Sequence, residues 1–274
     1  MALDVDGTLA ARGHEVSAAT RDALLRAREA GLEIALATGR RYRTTSRVIG
    51  SLGFSVPAVC LGGSLVKDCE GETLAAEPFP ADSFRRVAGF LRERGHVVVG
   101  QRDAPLDGGA DFLIDGSLSW HRWVALYHQR NADFADWRRS LTDELREDVL
   151  VIGTFGERDA LLALAGEVAR SLPDPLFVNV VPAFEEGGWY CEIVPSRISK
   201  WTGLEQLARQ LRIPPDAICA VGDERNDLPM IRQAALGVAM GNASEEVKAV
   251  ADLVTGRHDE DGLVALVEHL LEGT

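Results

Sequence analysis

The chain has 274 residues, of which 46% are hydrophobic, and a formal net charge of −13. This length allows a sizeable core in one large domain or two modest ones, and the negative charge argues against a general role in binding nucleic acid or an anionic membrane. No apolar run approaches eighteen residues and the four cysteines form no C-x-x-C pair. We therefore expect no membrane span, zinc site or disulfide framework, and a reducing, cytoplasmic setting.

The first part of the chain alternates strands and helices. Either a very short strand ends before Asp4, or the true start of the chain lies upstream. The next elements are a helix capped by Ser17 and running to about Ala30, a strand over 32–37, a helix over 42–52 that ends at Gly53, and a strand over 56–61. This alternation predicts a parallel, doubly wound α/β sheet.

The pattern changes after residue 63. A hairpin is expected at 64–66 and 73–76, and the prolines of residues 77–80 predict a linker. The elements that follow are helices over 82–94, 133–145 and 158–171, and strands over 96–100, 112–114, 120–127, 149–154, 176–181 and 189–194. Paired strands after each helix predict an antiparallel sheet with helices on one face.

The alternating pattern resumes after Pro195. The predicted elements are helices over 200–211, 228–235, 245–249 and 262–271, and strands over 217–221, 237–240 and 252–254. We therefore predict a core built from residues 1–78 and 196–274, and an inserted α+β domain over 79–195.

Three strands of the predicted parallel sheet end in small and functional polar residues. Asp4, Asp6 and Thr8 follow the first strand, Thr38-Gly39-Arg40 follows the second, and Asp223 to Asp227 follow a later one. Ligands of open α/β sheets bind outside the carboxyl ends of the strands. One Asp-Gly sequence is most often a solvated turn, but three such strand ends predict a common site.

The residue types at this site favour metal-assisted phosphoryl chemistry. Asp4, Asp223 and a backbone carbonyl near Asp6 form an all-oxygen set that suits Mg²⁺. A neighbouring carboxylate can then attack phosphorus, and a second acid can protonate the leaving oxygen and later deprotonate water. The Thr38 hydroxyl and an ammonium group would complete a phosphate cradle.

The ordered motifs resemble those of the haloacid dehalogenase superfamily, in particular its Cof-type hydrolase branch. The matching segments are Asp-Val-Asp-Gly-Thr-Leu from Asp4, Thr-Gly-Arg from Thr38, Lys200, Gly-Asp-Glu-Arg-Asn-Asp-Leu-Pro-Met from Gly222, and Val-Ala-Met-Gly-Asn-Ala from Val238. The resemblance spans the chain. It implies a Rossmann-like core with a mobile α+β cap inserted between the second and third motifs, in which substrate specificity resides.

The resemblance also implies roles for the four acidic residues. Asp4 corresponds to the nucleophile and Asp6 to the general acid/base, and an acid at the second position fits hydrolysis of phosphate esters. The expected metal set is Asp4, Asp6 through a backbone carbonyl nearby, and Asp223. Asp227 is expected in the second shell of the metal or as the partner that orients the lysine.

The remaining candidate residues are expected to bind phosphate or substrate. Thr38 and Lys200 correspond to the catalytic hydroxyl and lysine that hold the phosphoryl group, and Asn226 is expected to face that group or the lysine. Gly39 and Arg40 complete this substrate-binding set. Gly62-Gly63-Ser64 stands where relatives often carry Asn-Gly, and Trp201 replaces the usual glycine after the lysine.

We expect a Mg²⁺-dependent phosphatase that acts on a small phosphorylated metabolite through an aspartyl-phosphate. A sugar phosphate or a phosphoglycerate derivative is the expected substrate class. Two alternatives stay open, namely a phosphomutase-type phosphoryl transferase and a non-catalytic protein that binds a phosphorylated ligand. The inserted domain carries no motif that identifies the substrate, and the sequence does not specify the oligomeric state.

Overall fold

The computed structural model describes residues 1–10, 15–143 and 146–272 and divides into two compact units. We call Met1–Ala75 with Ser199–Thr274 the core unit, and Ala76–Ile198 the inserted unit. The inserted unit contains the whole of the range over which the sequence predicts the second domain. No helix in the described parts of the chain has the length and apolar character needed to cross a membrane.

The first segment of the core unit follows the predicted order closely. Its elements are β1 (Ala2–Leu3), α1 (Ala18–Glu29), β2 (Ala35–Ala37), α2 (Tyr42–Leu52), β3 (Ala58–Cys60), β4 (Leu65–Lys67) and β5 (Thr73–Ala76). Ser17 caps α1, since its side chain accepts a hydrogen bond from the Thr20 amide. Gly53 ends α2 in the left-handed conformation, with φ +77°, which glycine adopts without strain.

The inserted unit forms a six-stranded sheet. Its elements are α3 (Ala81–Glu93), β6 (Val99–Gln101), β7 (Phe112–Asp115), α4 (Arg122–Asn131), β8 (Ala135–Arg138), β9 (Val151–Gly156), α5 (Arg158–Ser171), β10 (Leu176–Pro182) and β11 (Trp189–Pro195). The strand order is β10-β11-β9-β6-β7-β8. The pairs are antiparallel except β7 with β8, which is parallel.

Two elements of the inserted unit differ from the sequence prediction. Residues 120–127 are rich in residues that favour strands, yet α4 covers most of this range. Trp123 and Val124 pack with Phe155 in a buried cluster, and this packing decides the outcome. The helix predicted over 133–145 is also wrong, because residues 135–138 pair with β7 as strand β8, and residues 144–145 lie outside the described residues.

The sheet of the inserted unit carries helices on both faces. Phe84 of α3 and Leu161 of α5 pack on one face with Ile193, whereas Trp123 of α4 packs on the other with Ile114. The prediction of helices on one face was therefore wrong, and its cause is the misassignment of α4 as a strand.

The second segment of the core unit completes a doubly wound sheet. Its elements are α6 (Lys200–Leu211), β12 (Cys219–Gly222), α7 (Leu228–Gln233), β13 (Leu236–Ala239), α8 (Glu245–Lys248), β14 (Leu253–Val254) and α9 (Gly262–Glu272). The strand order is β14-β13-β12-β1-β2-β3-β4-β5. The pairs from β14 to β3 are parallel, and β4 runs antiparallel to β3. This confirms the predicted fold class and puts β1 between β12 and β2.

Candidate active site

The carboxyl ends of three neighbouring strands bring the predicted site residues to one edge of the core sheet. Asp4 follows β1, and its amide donates to the Val221 carbonyl on β12 at 2.9 Å. Thr38 follows β2, and its amide donates to the Val59 carbonyl on β3 at 2.8 Å. Asp4 and Thr38 are 4% and 1% exposed, so both side chains are fixed in a buried environment.

Lys200 joins two of the acids. Its ammonium Nζ donates to Asp4 Oδ1 and to Asp227 Oδ1, each at 2.6 Å, and the residue is 1% exposed. Ser199 caps α6 and so fixes where the first turn begins. A Cβ on Gly63, which has φ +114°, would lie 2.0 Å from the Ser199 carbonyl oxygen, so a glycine is required for this close approach.

Asp227 is held by backbone donors as well as by the lysine. Its Oδ2 accepts hydrogen bonds from the amides of Asp223 and Glu224, each at 3.0 Å. A Cβ on Gly222 would lie 2.4 Å from the Asp227 carboxyl carbon. The direct contact between Asp227 and Lys200 is what the predicted lysine-orienting role requires. The Asp227 carboxylate also lies close to those of Asp4 and Asp223.

Asp223 is oriented by two residues to which the sequence reasoning gave no role. Thr8 Oγ1 donates to its Oδ1 at 3.2 Å, and Asn242 Nδ2 donates to its Oδ2 at 3.1 Å. Asn242 Nδ2 also donates to the Gly7 carbonyl at 2.9 Å. A Cβ on Gly7, at φ +83°, would lie 2.3 Å from Asp223 Oδ2. A usable signal existed for Asn242, because it follows β13 just as the predicted residues follow their own strands.

Three carboxylates form a cluster that fits a divalent cation. Asp4, Asp223 and Asp227 are buried and each offers an oxygen, and these oxygens lie within 4.8 Å of one another. Hard carboxylate oxygens are the ligands that Mg²⁺ prefers. The carboxylate of Asp6 is not part of this cluster. Its contribution to the metal set through a backbone carbonyl stays a prediction.

The pKa shifts in this cluster arise first from burial and then from the neighbouring charges. Burial raises the pKa of Asp4 well above its usual range, although the nearby Lys200 ammonium works in the opposite direction. Burial, reinforced by Asp227, raises the pKa of Asp223 to about 7. Burial alone would lower the pKa of Lys200, but the carboxylates of Asp227 and Asp4 raise it, so the ammonium stays charged.

The other predicted residues surround this cluster without joining it. Arg40 Nε donates to Asp6 Oδ2 at 2.7 Å, and Arg40 Nη2 donates to Asp6 Oδ1. The Arg40 amide donates to Thr38 Oγ1 at 3.1 Å. Asn226 Nδ2 lies 4.0 Å from the position of a Cβ on Gly39. Asn226 Oδ1 is buried and has no hydrogen-bond partner in the described parts of the chain, so it offers a free acceptor.

Known proteins resemble this chain over almost its whole length. A family model described as haloacid dehalogenase-like hydrolase matches residues 1–267. The chain is 29% identical to the phosphatase YwpJ of Bacillus subtilis over 99% of both chains. It is 25% identical to the pyridoxal phosphate phosphatase YbhA of Escherichia coli, over 99% of this chain and 98% of that one.

A solved structure gives the same result. The phosphatase BT1666 of Bacteroides thetaiotaomicron, from the haloalkanoate enzyme superfamily, superposes with a TM-score of 0.77 at 26% identity, over 98% of this chain and 93% of that one. The chain therefore belongs to the haloacid dehalogenase-like hydrolases, in their Cof-type branch.

Proposed function

We propose that this phosphoric monoester hydrolase requires Mg²⁺ and acts on a small phosphorylated metabolite through an aspartyl-phosphate on Asp4. A sugar phosphate or a phosphoglycerate derivative is the substrate class that we propose. The observation that carries the proposal is the bridge from Lys200 to Asp4 and Asp227, with an Asp223 oxygen within 4.8 Å of both acids. The phosphatase names of YwpJ and YbhA support it.

Asp4, Asp223 and a backbone carbonyl near Asp6 would hold the cation. Asp227, whose oxygens already bond Lys200 and two backbone amides, would act on it through water or through the lysine. Asp4, Asp223 and Asp227 outnumber the single Lys200 ammonium, so they supply the negative charge that a divalent ion balances. When bound, the ion offsets the charge of the phosphoryl oxygens and holds them near Asp4. Thr8 and Asn242 keep the Asp223 carboxylate oriented for that task.

The chain's own residues carry both chemical steps. An Asp4 carboxylate oxygen attacks phosphorus, the bond from phosphorus to the ester oxygen breaks, and the Asp6 carboxyl gives its proton to the leaving oxygen. In the second step Asp6 takes a proton from water while the water oxygen attacks phosphorus. The bond from phosphorus to Asp4 then breaks, which releases inorganic phosphate and restores the Asp4 carboxylate.

Three further residues complete the phosphate site in this proposal. Lys200 places a positive charge 2.6 Å from the nucleophilic carboxylate, where it stabilises the charge of the phosphoryl group. We assign the Thr38 hydroxyl and the Asn226 side chain to the phosphoryl group, and the buried Asn226 oxygen has no other hydrogen-bond partner in the described parts of the chain. We assign recognition of the leaving group to the inserted domain over 79–195, because the core-unit residues described above serve the phosphoryl group and the cation.

The direct test is hydrolysis of p-nitrophenyl phosphate. We expect turnover with Mg²⁺, its loss in EDTA, and its loss in Asp4→Asn. Asp6→Asn should stop turnover and leave the dissociation constant for Mn²⁺, measured by electron paramagnetic resonance, within about twofold of the wild-type value. Activity without metal, or an active Asp4→Asn variant, would overturn the proposal.

The same assay separates the two alternatives. A requirement for a bisphosphate activator would indicate a phosphomutase-type transferase, which shares the first step but excludes water from the second. Tight binding of phosphate esters without turnover, over a broad panel of phosphorylated metabolites, would indicate a non-catalytic binding protein. Turnover in that panel would identify the substrate class.

A further inference from the structure

The proposed acid/base carries a specific partner whose role the sequence did not indicate. Both carboxylate oxygens of Asp6 accept hydrogen bonds from Arg40, one from Nε at 2.7 Å and the other from Nη2. The arginine therefore meets the carboxylate with two parallel N–H bonds, an arrangement that fixes both the position and the plane of the carboxylate. This inference rests on the proposed function, since it concerns the residue that moves the proton.

Asp6 differs from Asp4 in how it is held. The Asp6 side chain is 47% exposed, whereas that of Asp4 is 6% exposed and bonded to Lys200. Asp6 lies beside Gly7 and is not one of the three clustered carboxylates. A half-exposed side chain samples several rotamers unless a partner fixes it, and proton transfer needs heavy atoms about 2.6–3.2 Å apart.

Arg40 is itself anchored on three sides. Its amide donates to Thr38 Oγ1 at 3.1 Å, and its carbonyl accepts from the Leu61 amide at 3.0 Å. Its side chain is 15% exposed and ends on Asp6.

We propose that Arg40 is a positioning residue that holds the Asp6 carboxyl group in the orientation needed to exchange a proton with the leaving oxygen and then with water. Each carboxylate oxygen has two lone pairs, and Arg40 uses one on each. No other side chain in the described parts of the chain donates to these two oxygens, so the second lone pair of each can accept the proton in transit. Lysine cannot replace this contact fully, because a single ammonium does not match both oxygens of a carboxylate plane.

This role differs from direct binding of the substrate, which is the role that the sequence suggested for Arg40. A guanidinium that binds the phosphoryl group would help all phosphate esters alike. A guanidinium that acts through Asp6 would help most where the leaving oxygen needs a proton. The two roles therefore predict different dependences of the rate on the leaving group.

The test compares kcat/KM for three esters that share the phosphoryl group, namely p-nitrophenyl, phenyl and benzyl phosphate. The p-nitrophenolate ion leaves without a proton, whereas the benzyl alkoxide needs one. We expect Arg40→Met to lower kcat/KM about 100-fold for benzyl phosphate and less than about fivefold for p-nitrophenyl phosphate, with phenyl phosphate between them. Arg40→Lys should recover part of the loss on benzyl phosphate.

A double-mutant cycle gives the second readout. If Arg40 acts through Asp6, then Arg40→Met should change the residual rate of phosphate release from benzyl phosphate, measured with enzyme in excess over ester, less than about twofold in an Asp6→Asn background. Arg26→Met is the matched control, since Arg26 makes a 3.8 Å exposed contact to Glu268, and it should leave all three rates unchanged. Thermal unfolding and Mn²⁺ affinity should match the wild type in each Arg40 variant, and Arg40→Lys carries the test if Arg40→Met does not fold.

Equal losses on all three esters, or losses that add in the Asp6→Asn background, would overturn the positioning role while leaving the phosphatase assignment intact. A wild-type protein that is inert toward all three esters in Mg²⁺ would overturn the proposed function and the positioning role together. The two failures are therefore distinguishable in one set of measurements.

Discussion

Both units bury acidic side chains, but they compensate the charge differently. In the inserted unit Asp115 is 2% exposed, and its oxygens accept from the Ser117 amide at 2.7 Å, the Leu141 amide at 2.8 Å and the Ser117 hydroxyl. In the core unit the Lys200 ammonium bonds two of the three carboxylates of the metal cluster, those of Asp4 and Asp227. Burial is therefore common to both, but neutral donors solvate the single carboxylate of Asp115, whereas the core cluster holds three carboxylates close enough to repel one another.

The difference separates a structural acid from a functional one. Local donors satisfy Asp115, two of them within two residues of it, so this acid stabilises the turn that it belongs to. The core acids are joined by contacts between residues 196 and 27 positions apart, and they repel each other until a cation or a proton intervenes. The four predictions below test this contrast, from the largest expected effect to the smallest.

Removing the lysine should have the largest effect on stability. Lys200→Met leaves buried carboxylates without their cation, so we expect the free energy of unfolding in EDTA to fall by about 3–5 kcal/mol. Arg158→Met is the control in the inserted unit, because Arg158 and its partner Asp159, 3.4 Å apart, have side chains that are 57% and 94% exposed, and about 1 kcal/mol or less is expected. Urea unfolding followed by circular dichroism measures both, and equal losses would contradict the contrast.

The metal-free core unit should lose stability as pH rises. Burial raises the pKa of Asp223 to about 7 from an ordinary value of 3.8, so between these values the folded state holds a proton that the unfolded state has released. The free energy of unfolding then falls as pH rises through this window, by up to about 1.4 kcal/mol per pH unit. Urea unfolding in EDTA at pH 5.5 and 7.5 measures the difference, which should shrink in Asp223→Asn. An unchanged difference in that variant would refute the assignment.

The sequence predicted the core unit better than the inserted unit for physical reasons. Helix α2 was confirmed at both ends, because its apolar spacing and Gly53 are local signals. The ranges of α4 and β8 were wrong, because the packing of Trp123 and the pairing with β7 outweighed local preference. Local sequence patterns predict the elements correctly where strands and helices alternate. They fail where contacts with residues distant in sequence decide between helix and strand.

In the candidate active site, too, local motifs predicted single residues but not the contacts between distant ones. Asp4, Lys200 and Asp223 were identified because family motifs mark them at strand and helix ends. The contact of Arg40 with Asp6 and that of Asn242 with Gly7 span 34 and 235 positions, and no spacing rule connects such pairs. The Mg²⁺ requirement and the cytoplasmic location stay predictions.

Asn242 gives a sharper test of what orients the metal cluster. Asn242→Ala removes the donor to Asp223 Oδ2 and to the Gly7 carbonyl, and we expect the dissociation constant for Mn²⁺ to rise about 10–100-fold. The matched amide deletion is Asn179→Ala, whose Nδ2 donates to Glu192 at 3.1 Å in the inserted unit and should leave that constant unchanged. Calorimetric titration measures both variants, and equal affinities in the two would show that Asn242 does not orient the ligand.

The inserted unit should respond to pH in the opposite sense to the core cluster, with the smallest effect of the four. Burial lowers the pKa of the partly buried His96. His121 lowers it further, as does a smaller contribution from Arg94, whereas Glu167 raises it. The folded state therefore keeps His96 neutral where the unfolded chain binds a proton, so stability present above pH 6.5 is lost as pH falls below that value. We expect His96→Gln to reduce this acid loss by a few tenths of a kcal/mol at most, because solvent still reaches and screens part of the ring. Urea unfolding at pH 7.5 and 5.5 measures this loss of stability, and His269→Gln in α9 is the control. If the free energy of unfolding falls equally in His96→Gln and in the wild type, the titrating group is not His96.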